Sequence, residues 1–328
     1  MPHGTHFFAE DVCHYLKESR TSVSECILYP EAPDPLFYSR NIVHGWRRYG
    51  NMLYRMRCPG CRLCIPLRIH ADSVSLTSSL SRILMKNRDL LIVRKPAEFD
   101  SSHYLLWKEY SRWKHGLDSS QTTEEIYRDF LCPWGMLFEY RVADEPESLH
   151  AVSIIDPLED GLSSVYFFFS PSSARRSPGF FSILAEAAIS ADPSLIQEDA
   201  VNAGHIVQWY SADPGSRLKL SRYSRSSRSS SNAHNSRNPR VCAQVCSGWY
   251  YLGFWIPGAR TMDYKARITP FELALPETSA MQASVHSQWI RFESREEAVL
   301  YLASHEQAPG DSLRSAATDS HVDYSPRA

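Results

Sequence analysis

Cys58-Pro59-Gly60-Cys61-Arg62-Leu63-Cys64 places three thiols within seven residues. The Pro-Gly pair between the first two is turn chemistry that lets two sulfurs converge on one ion about 2.3 Å away. A fourth ligand has to come from elsewhere, and Cys13 in Cys13-His14-Tyr15-Leu16 is the best-placed candidate. Four thiolates suit zinc or an iron–sulfur cluster, and the spacing does not separate the two. The competing reading is three reduced cysteines in a tight turn. Cys26, Cys132, Cys242 and Cys246 show no comparable grouping and read as core or loop residues.

The knuckle sits in a basic stretch. Between Arg40 and Lys95 there are twelve Lys and Arg residues against two acids, Asp72 and Asp89, although the whole chain has a formal charge of −2. Arg62 lies inside the knuckle, with Arg55, Arg57 and Arg68 close by. A rigid loop carrying guanidiniums suits a phosphate backbone, since local charge attracts phosphates whatever the global total. A solvated basic face without a ligand is the alternative.

These residues need elements to hold them. Hydrophobic residues at 43% and charged residues at 22% describe an ordinary globular chain, long enough for one large domain or two smaller ones. No apolar run approaches the roughly 20 residues of a membrane span. Met1 to Arg20 carries no apolar signal core, so a cytosolic setting with reduced thiols is expected. Residues 51–55 and 65–69 read as short strands around the knuckle, 81–89 as a short basic helix, and 90–93 as a further strand. A helical pattern runs over 101–114, ending near Gly116, and Thr122-Thr123-Glu124-Glu125 starts another. Strands follow at 135–142, 150–156 and 163–169, the last two joined by a turn at Glu159-Asp160-Gly161. Residues 179–187 form a helix and 248–255 a buried aromatic strand. Between them, residues 216–240 hold nine Ser and seven basic residues with no acid. That composition cannot bury enough surface to offset its ordering entropy, so an insertion over about 192–246 is expected to be disordered. The stretch Trp289 to Leu302 reads as one amphipathic helix in a partly disordered tail, 276–328.

Two separated regions resemble the aminoacyl-tRNA–protein transferases. The first comprises Phe7-Phe8, Cys13-His14-Tyr15-Leu16, Arg20, residues 47–55, the knuckle with Ile65-Pro66-Leu67-Arg68-Ile69, and Lys86-Asn87-Arg88-Asp89-Leu90. The second comprises residues 160–169, Ala174-Arg175-Arg176-Ser177-Pro178-Gly179, residues 251–257 and residues 262–270. The resemblance implies an α/β (α+β) chain: an N-terminal Cys-rich metal-binding domain over 1–95 and an acetyltransferase-like domain over 100–275. The compact Cys-x2-Cys-x2-Cys form is similar to the bacterial leucyl branch, which modifies N-terminal Asp or Glu; arginine is the other donor the family uses. Its partners would be aminoacyl-tRNA and acidic protein N-termini, and CoA is not expected.

The implied reaction is aminolysis of an aminoacyl ester by an α-amine. Such an amine has a pKa near 8, so about a tenth is free base at neutral pH, and positioning matters more than a strong base. Under this resemblance Tyr166, Tyr264 and Lys265 are the catalytic candidates. Arg175, Arg176, Arg267, Ser170 and Trp255 are the substrate-binding candidates. Arg55, Arg57, Arg62, Arg68, Lys86 and Arg88 would face tRNA, and Cys13, Cys58, Cys61 and Cys64 would hold zinc or an iron–sulfur cluster. If Lys265 and Arg267 lie on a strand they share one face. His115 and His150 are isolated and read as structural or solvent-facing.

The chain also departs from the family pattern. Phe169-Ser170-Pro171 stands where Tyr-Asp-Pro is usual, Pro178 replaces a Leu, and the Ser/Arg insertion interrupts the helix-to-strand segment. Two further readings therefore stay open. One is a CoA-dependent acetyltransferase, against which Phe181 puts bulk where Arg176-Ser177-Pro178-Gly179 would need a small residue. The other is a metal-stabilised, non-catalytic tRNA-binding protein.

Overall fold

The structure, a computed structural model, describes residues 3–16, 20–192, 206–208, 221–223, 248–259, 261–276 and 287–305. In chain order the elements are β1 (Thr5–Val12), β2 (Thr21–Leu28), α1 (Pro35–Ile42), β3 (Arg47–Tyr49), β4 (Met52–Met56), β5 (Ile65–His70), α2 (Ser78–Lys86) and β6 (Leu90–Pro96). There follow α3 (Ser101–His115), α4 (Glu124–Arg128), β7 (Met136–Val142), β8 (Glu145–Pro157), β9 (Gly161–Phe169) and α5 (Pro178–Ala191). The remainder are β10 (Ile206–Gln208), β11 (Ser221–Tyr223), β12 (Trp249–Trp255), β13 (Phe271–Pro276), β14 (Ser287–Phe292) and α6 (Arg295–Ser304). The chain is thus a mixed α/β protein, as expected.

Local chemistry explains the helix ends. Asp100 caps α3 by accepting from the Ser102 amide at 2.8 Å, and Gly116 closes it in the left-handed region at φ 69°. Ser294 accepts from the Glu297 amide at 3.1 Å, while the Glu297 carboxylate accepts from the Glu293 amide at 2.8 Å. That reciprocal pair splits the stretch 289–302 into strand β14 and helix α6, where a single helix was expected.

Four strands form one sheet in the order β1-β2-β4-β3, and eight form a second in the order β14-β13-β5-β12-β9-β8-β7-β6. The second sheet crosses the expected boundary at residue 95. Ile65, Leu67 and Ile69 of β5 alternate as buried residues, and β5 pairs with β12 on one side and β13 on the other. An alternating strand with apolar residues on one face needs neighbours that continue that face, and here they come from the far end of the chain. The eight-stranded sheet therefore incorporates β5 and β6 from the first 95 residues. The expected disordered insertion lies outside the described residues, except for β10 and β11, which pair antiparallel.

Every ladder in the large sheet is antiparallel except β9 with β12. Parallel neighbours need a crossover, and α5 lies in that connection. Its residues Phe181, Leu184, Ala185, Ala187 and Ile189 are buried in the main core. Gly161 opens β9 opposite Trp249; a Cβ there would stand 1.8 Å from the Trp249 carbonyl oxygen. Gly161→Ala should therefore force the two strands apart and cost about 3 kcal/mol of stability. Urea unfolding with an unchanged midpoint would show that the parallel pairing is not made as described.

Candidate active site

The β9/β12 pairing covers only Gly161–Ser163 against Trp249–Tyr251. Beyond it no ladder joins the two strands among the described residues, and β12 carries a bulge between Tyr251 and Phe254 in its pairing with β5. Carbonyls left by such a gap must find other donors. Arg47 Nη2 donates to the Ser164 carbonyl. Lys265 Nζ donates to the Leu252 carbonyl at 2.8 Å and the Phe254 carbonyl at 3.0 Å. Gly253 lies between those two carbonyl residues at φ 79°, and a Cβ there would meet Arg47 Nη2 at 3.5 Å and Lys265 Nζ at 3.7 Å. Only glycine holds that backbone without strain.

Lys265 belongs to a 3-10 turn, Asp263–Arg267, and not to a strand. With three residues per turn, positions 264 and 267 share a side and 265 points elsewhere. Tyr264 packs edge-on to Phe180 with ring centroids 5.3 Å apart, and the Arg267 guanidinium lies 5.3 Å from the same ring. Lys265 turns instead into β12. Burial, and then the Arg47 charge, lower its pKa to about 7. The Tyr264 hydroxyl lies 3.8 Å from the Cβ position of Gly179, at the start of α5. Burial, and then Glu186, push its pKa up to about 12.

Glu186 is the one carboxylate on α5 and is fully buried. Tyr140 donates to it at 2.5 Å and Tyr250 donates to its other oxygen. Burial outweighs these bonds and raises its pKa to about 7. This carboxyl ties α5 to β7 and β12 at once.

The other expected residues lie around this centre. Tyr166 stacks on Phe130 at 4.7 Å on the α3 side of the sheet, and its hydroxyl is 3.5 Å from His115 Nε2. Burial first, and then Tyr166 and Tyr264, raise the pKa of Tyr110 on α3, whose ring packs against Phe169 at 5.0 Å. Ser170 bonds through Oγ to Ser172 at 2.9 Å, and its amide donates to the His150 carbonyl at 2.8 Å. Arg176 donates to Asp89, to Asn87 at 3.2 Å and to the Lys86 carbonyl at 2.9 Å, while Lys86 donates to the Arg175 carbonyl. Arg175, Arg267, Lys86 and Arg88 are exposed. Trp255, expected to contact substrate, is fully buried with its indole donating to Asp263 at 3.0 Å, so it supports the 3-10 turn from within the core.

Part of the expected basic face is paired within the fold, although Arg57 itself stays exposed. Arg55 and Arg57 both donate to Glu25, at 2.7 and 2.8 Å. Arg68 lies between the Trp249 and Trp289 rings and pairs with Glu272 at 2.8 Å. Arg62 is exposed and donates to the Cys58 and Cys61 carbonyls, bracing the knuckle. The amide of Val23 donates to Cys58 Sγ at 3.3 Å. Cys13, Cys58 and Cys61 are near enough to Cys64 to help burial raise its pKa to about 12. Among the described residues, however, no group of three or more such side chains is drawn to metal-holding spacing. The donor chemistry of these four thiols fits a thiophilic metal.

Residues 11–82 match the family model described as arginine-tRNA-protein transferase, N terminus, and residues 102–208 match the one described as its C terminus. The aspartate/glutamate leucyltransferase of Alcanivorax borkumensis is 37% identical over 175 residues, 52% of this chain and 71% of that protein. The chain belongs to the arginine-tRNA–protein transferase family. The aspartate/glutamate leucyltransferase of Saccharophagus degradans is 26% identical over 282 residues, 85% of this chain and 93% of its own length. That of Nitrosospira multiformis is 29% identical over 286 residues, 86% of this chain and 88% of that protein.

Two residues of the centre escape sequence reasoning about this family. Arg47 reads as one basic residue among twelve. Glu186 reads as part of an apolar helix, though a lone acid among Phe, Leu, Ile and Ala is itself the signature of a buried, bonded carboxyl. Its titration has a definite sign. The unfolded carboxyl releases its proton near 4.5 and the folded one near 7, so the folded state binds more protons across that window. Stability from this group is complete below about 4.5 and is lost as pH rises to about 7, by on the order of 3 kcal/mol. Urea unfolding of the wild type and Glu186→Gln across pH 4.5 to 7.5 should show that decline flattened in the variant; parallel curves would refute the raised pKa.

Proposed function

We propose that the protein transfers leucine from its tRNA to the N-terminal α-amine of proteins beginning with Asp or Glu, marking them for degradation. The observation that carries this reading is the centre at the β9/β12 gap, held within a chain whose relatives named above are aspartate/glutamate leucyltransferases. The sheet, with its single parallel pair and the helix that connects it, supports the acetyltransferase-like reading of the fold. No helix among the described residues is long and apolar enough to cross a membrane, and the use of charged tRNA supports a cytoplasmic setting.

The chemistry is one acyl transfer. The α-amine attacks the ester carbonyl, a C–N bond forms, the C–O bond to the tRNA ribose breaks, and the amine's proton leaves for the medium or the departing hydroxyl. Lys265 suits the incoming amine. As a neutral amine it keeps both N–H groups on the Leu252 and Phe254 carbonyls, which turns its lone pair toward an arriving ammonium. Tyr264, beside the first turn of α5, suits the developing oxyanion, with the Gly179 amide as the second donor. Exposed Arg175, Arg267, Lys86 and Arg88 at the same end of α5 offer tRNA phosphates a basic approach, with Arg62 on the knuckle extending it. Arg176, partly buried, holds the loop that carries them. Tyr166 and Ser170 border the region. The four thiols of Cys13, Cys58, Cys61 and Cys64 would hold zinc or an iron–sulfur cluster, stiffening the segment that follows β1; no CoA is involved.

Radiolabelled leucine and arginine, each presented on its own tRNA, should be tested with peptides beginning with Asp, Glu, Lys or Arg. Transfer of leucine to the Asp and Glu peptides alone is expected, and Lys265→Ala should slow it by about 10²-fold or more. Arginine transfer would move the protein to the other branch, and tRNA binding without transfer would leave a binding protein. For the thiols, elemental analysis should find metal in the wild type and not in Cys64→Ser. A metal-free wild type that is folded and active would remove the metal proposal.

A further inference from the structure

Arg47 and Arg48 are adjacent on β3 and have opposite fates. Arg48 is neutralised: Nε and Nη2 reach the two Asp156 oxygens at 2.7 and 2.9 Å, and both side chains are fully buried. Its remaining donors go to the Gly50 and Phe130 carbonyls. Arg47 is 7% exposed, and its bond among the described residues is to the Ser164 carbonyl. No acid reaches it. The acids of the neighbourhood are engaged elsewhere: Asp156 with Arg48, Glu186 with two tyrosines, Asp263 with Arg295 at 2.9 Å, and Glu25 with Arg55, Arg57 and His6.

A buried guanidinium without an anion is costly, because the protein interior does not replace its lost water. Here it also stands beside the Lys265 amine across Gly253, the one residue with no side chain to separate them. We propose that Arg47 is the specificity-determining residue for the acceptor, binding the side-chain carboxylate of an N-terminal Asp or Glu while the adjacent Lys265 receives its α-ammonium. This rests on the reading of the protein as a transferase for acidic N-termini. The match is chemical. An N-terminal Asp or Glu carries a carboxylate and an amine a few ångströms apart, and Arg47 with Lys265 offers a planar donor and a proton acceptor side by side.

A tRNA phosphate is the other anion in the reaction. It has exposed basic residues at the start of α5, in Arg175, Arg267 and Lys86, whereas Arg47 is buried beside Lys265. Binding of the carboxylate also cancels the Arg47 charge that disfavours a proton on Lys265. An acidic acceptor would thereby strengthen the base as its ammonium arrives.

The test compares peptides identical except for Asp, Glu, Asn or Gln at the first position. Calorimetric binding to the full-length protein without tRNA should favour Asp over Asn by roughly tenfold or more, and Arg47→Gln should abolish that preference. In the transfer assay Arg47→Gln should raise KM for the Asp peptide on the order of tenfold to a hundredfold and leave KM for leucyl-tRNA unchanged. Arg47→Lys, which keeps a donor for the Ser164 carbonyl, should fold if the glutamine variant does not, and should fall between the two. A folded variant that retains the Asp-over-Asn preference, or one in which KM for leucyl-tRNA rises instead, overturns the proposal. Absence of leucine transfer by the wild type would count against the leucyl reading, while the binding preference and its loss in Arg47→Gln would still decide the role of Arg47.

Discussion

The constraint on which the rest of the molecule depends is a parallel strand pair that stops after three residues. β9 and β12 are joined at Gly161–Ser163 and Trp249–Tyr251 and then cease to bond. Carbonyls past that point would be buried and unpaired, at a cost of 1–3 kcal/mol each by ordinary measures. Long cationic side chains resolve this, Arg47 from β3 reaching Ser164 and Lys265 from the 3-10 turn reaching Leu252 and Phe254. The interruption that opens the sheet thus also places a guanidinium and an amine inside it. Gly161 permits the close pairing and Gly253 permits the turn away, so two glycines define where the strands meet and where they part.

Charge in this fold is arranged over long sequence distances. The basic stretch from Arg40 to Lys95 is answered by acids remote in the chain: Asp156 for Arg48, Glu272 for Arg68, Glu139 for Lys95. Several of these pairs fasten the first 95 residues to the later part of the chain, as β5 and β6 do through backbone pairing. Of the twelve, Arg40, Arg57, Arg62, Arg82, Lys86, Arg88 and Arg94 stay exposed, three of them on α2 or just after it. A sum of charge along the sequence overstates the face available to a polyanion, because Arg47, Arg48, Arg55 and Arg68 turn inward.

This explains how much could be read before the fold was known. The strands at 135–142, 150–156 and 163–169, the helices at 101–114 and 179–187, and the aromatic strand at 248–255 were legible, because each is set by its own pattern of apolar residues and turns. The family was legible too, since its motifs are local runs. What depended on partners distant in sequence was not. Arg47 differs from Arg48 only in the absence of an acid, which no local pattern records. Trp255 reads as a site residue because it lies in a family motif, yet the strand buries it. The Tyr264-Lys265-Ala266-Arg267 run is a 3-10 turn, so Lys265 parts from Arg267, and only the carbonyls left unpaired at the gap account for where Lys265 goes.

The departures from the family pattern bear on the edge of the centre more than on its middle. Ser170 stands where an acid is usual, and it still opens the 3-10 segment Pro171–Arg176, with its amide on His150 and its hydroxyl on Ser172. Arg47, Lys265, Tyr264 and Gly179 make no contact with it among the interactions described. Pro178 is likewise accommodated, because the first turn of a helix lacks internal partners for its amides and the fixed φ of proline suits that position. Phe181 is buried in the main core beneath α5, so the bulk that argues against a pyrophosphate grip serves to anchor the helix. Since aminolysis by a partly free amine asks chiefly for alignment, the proposed reading asks most of the strand gap and of Arg47 and Lys265 within it, and these the departures leave in place.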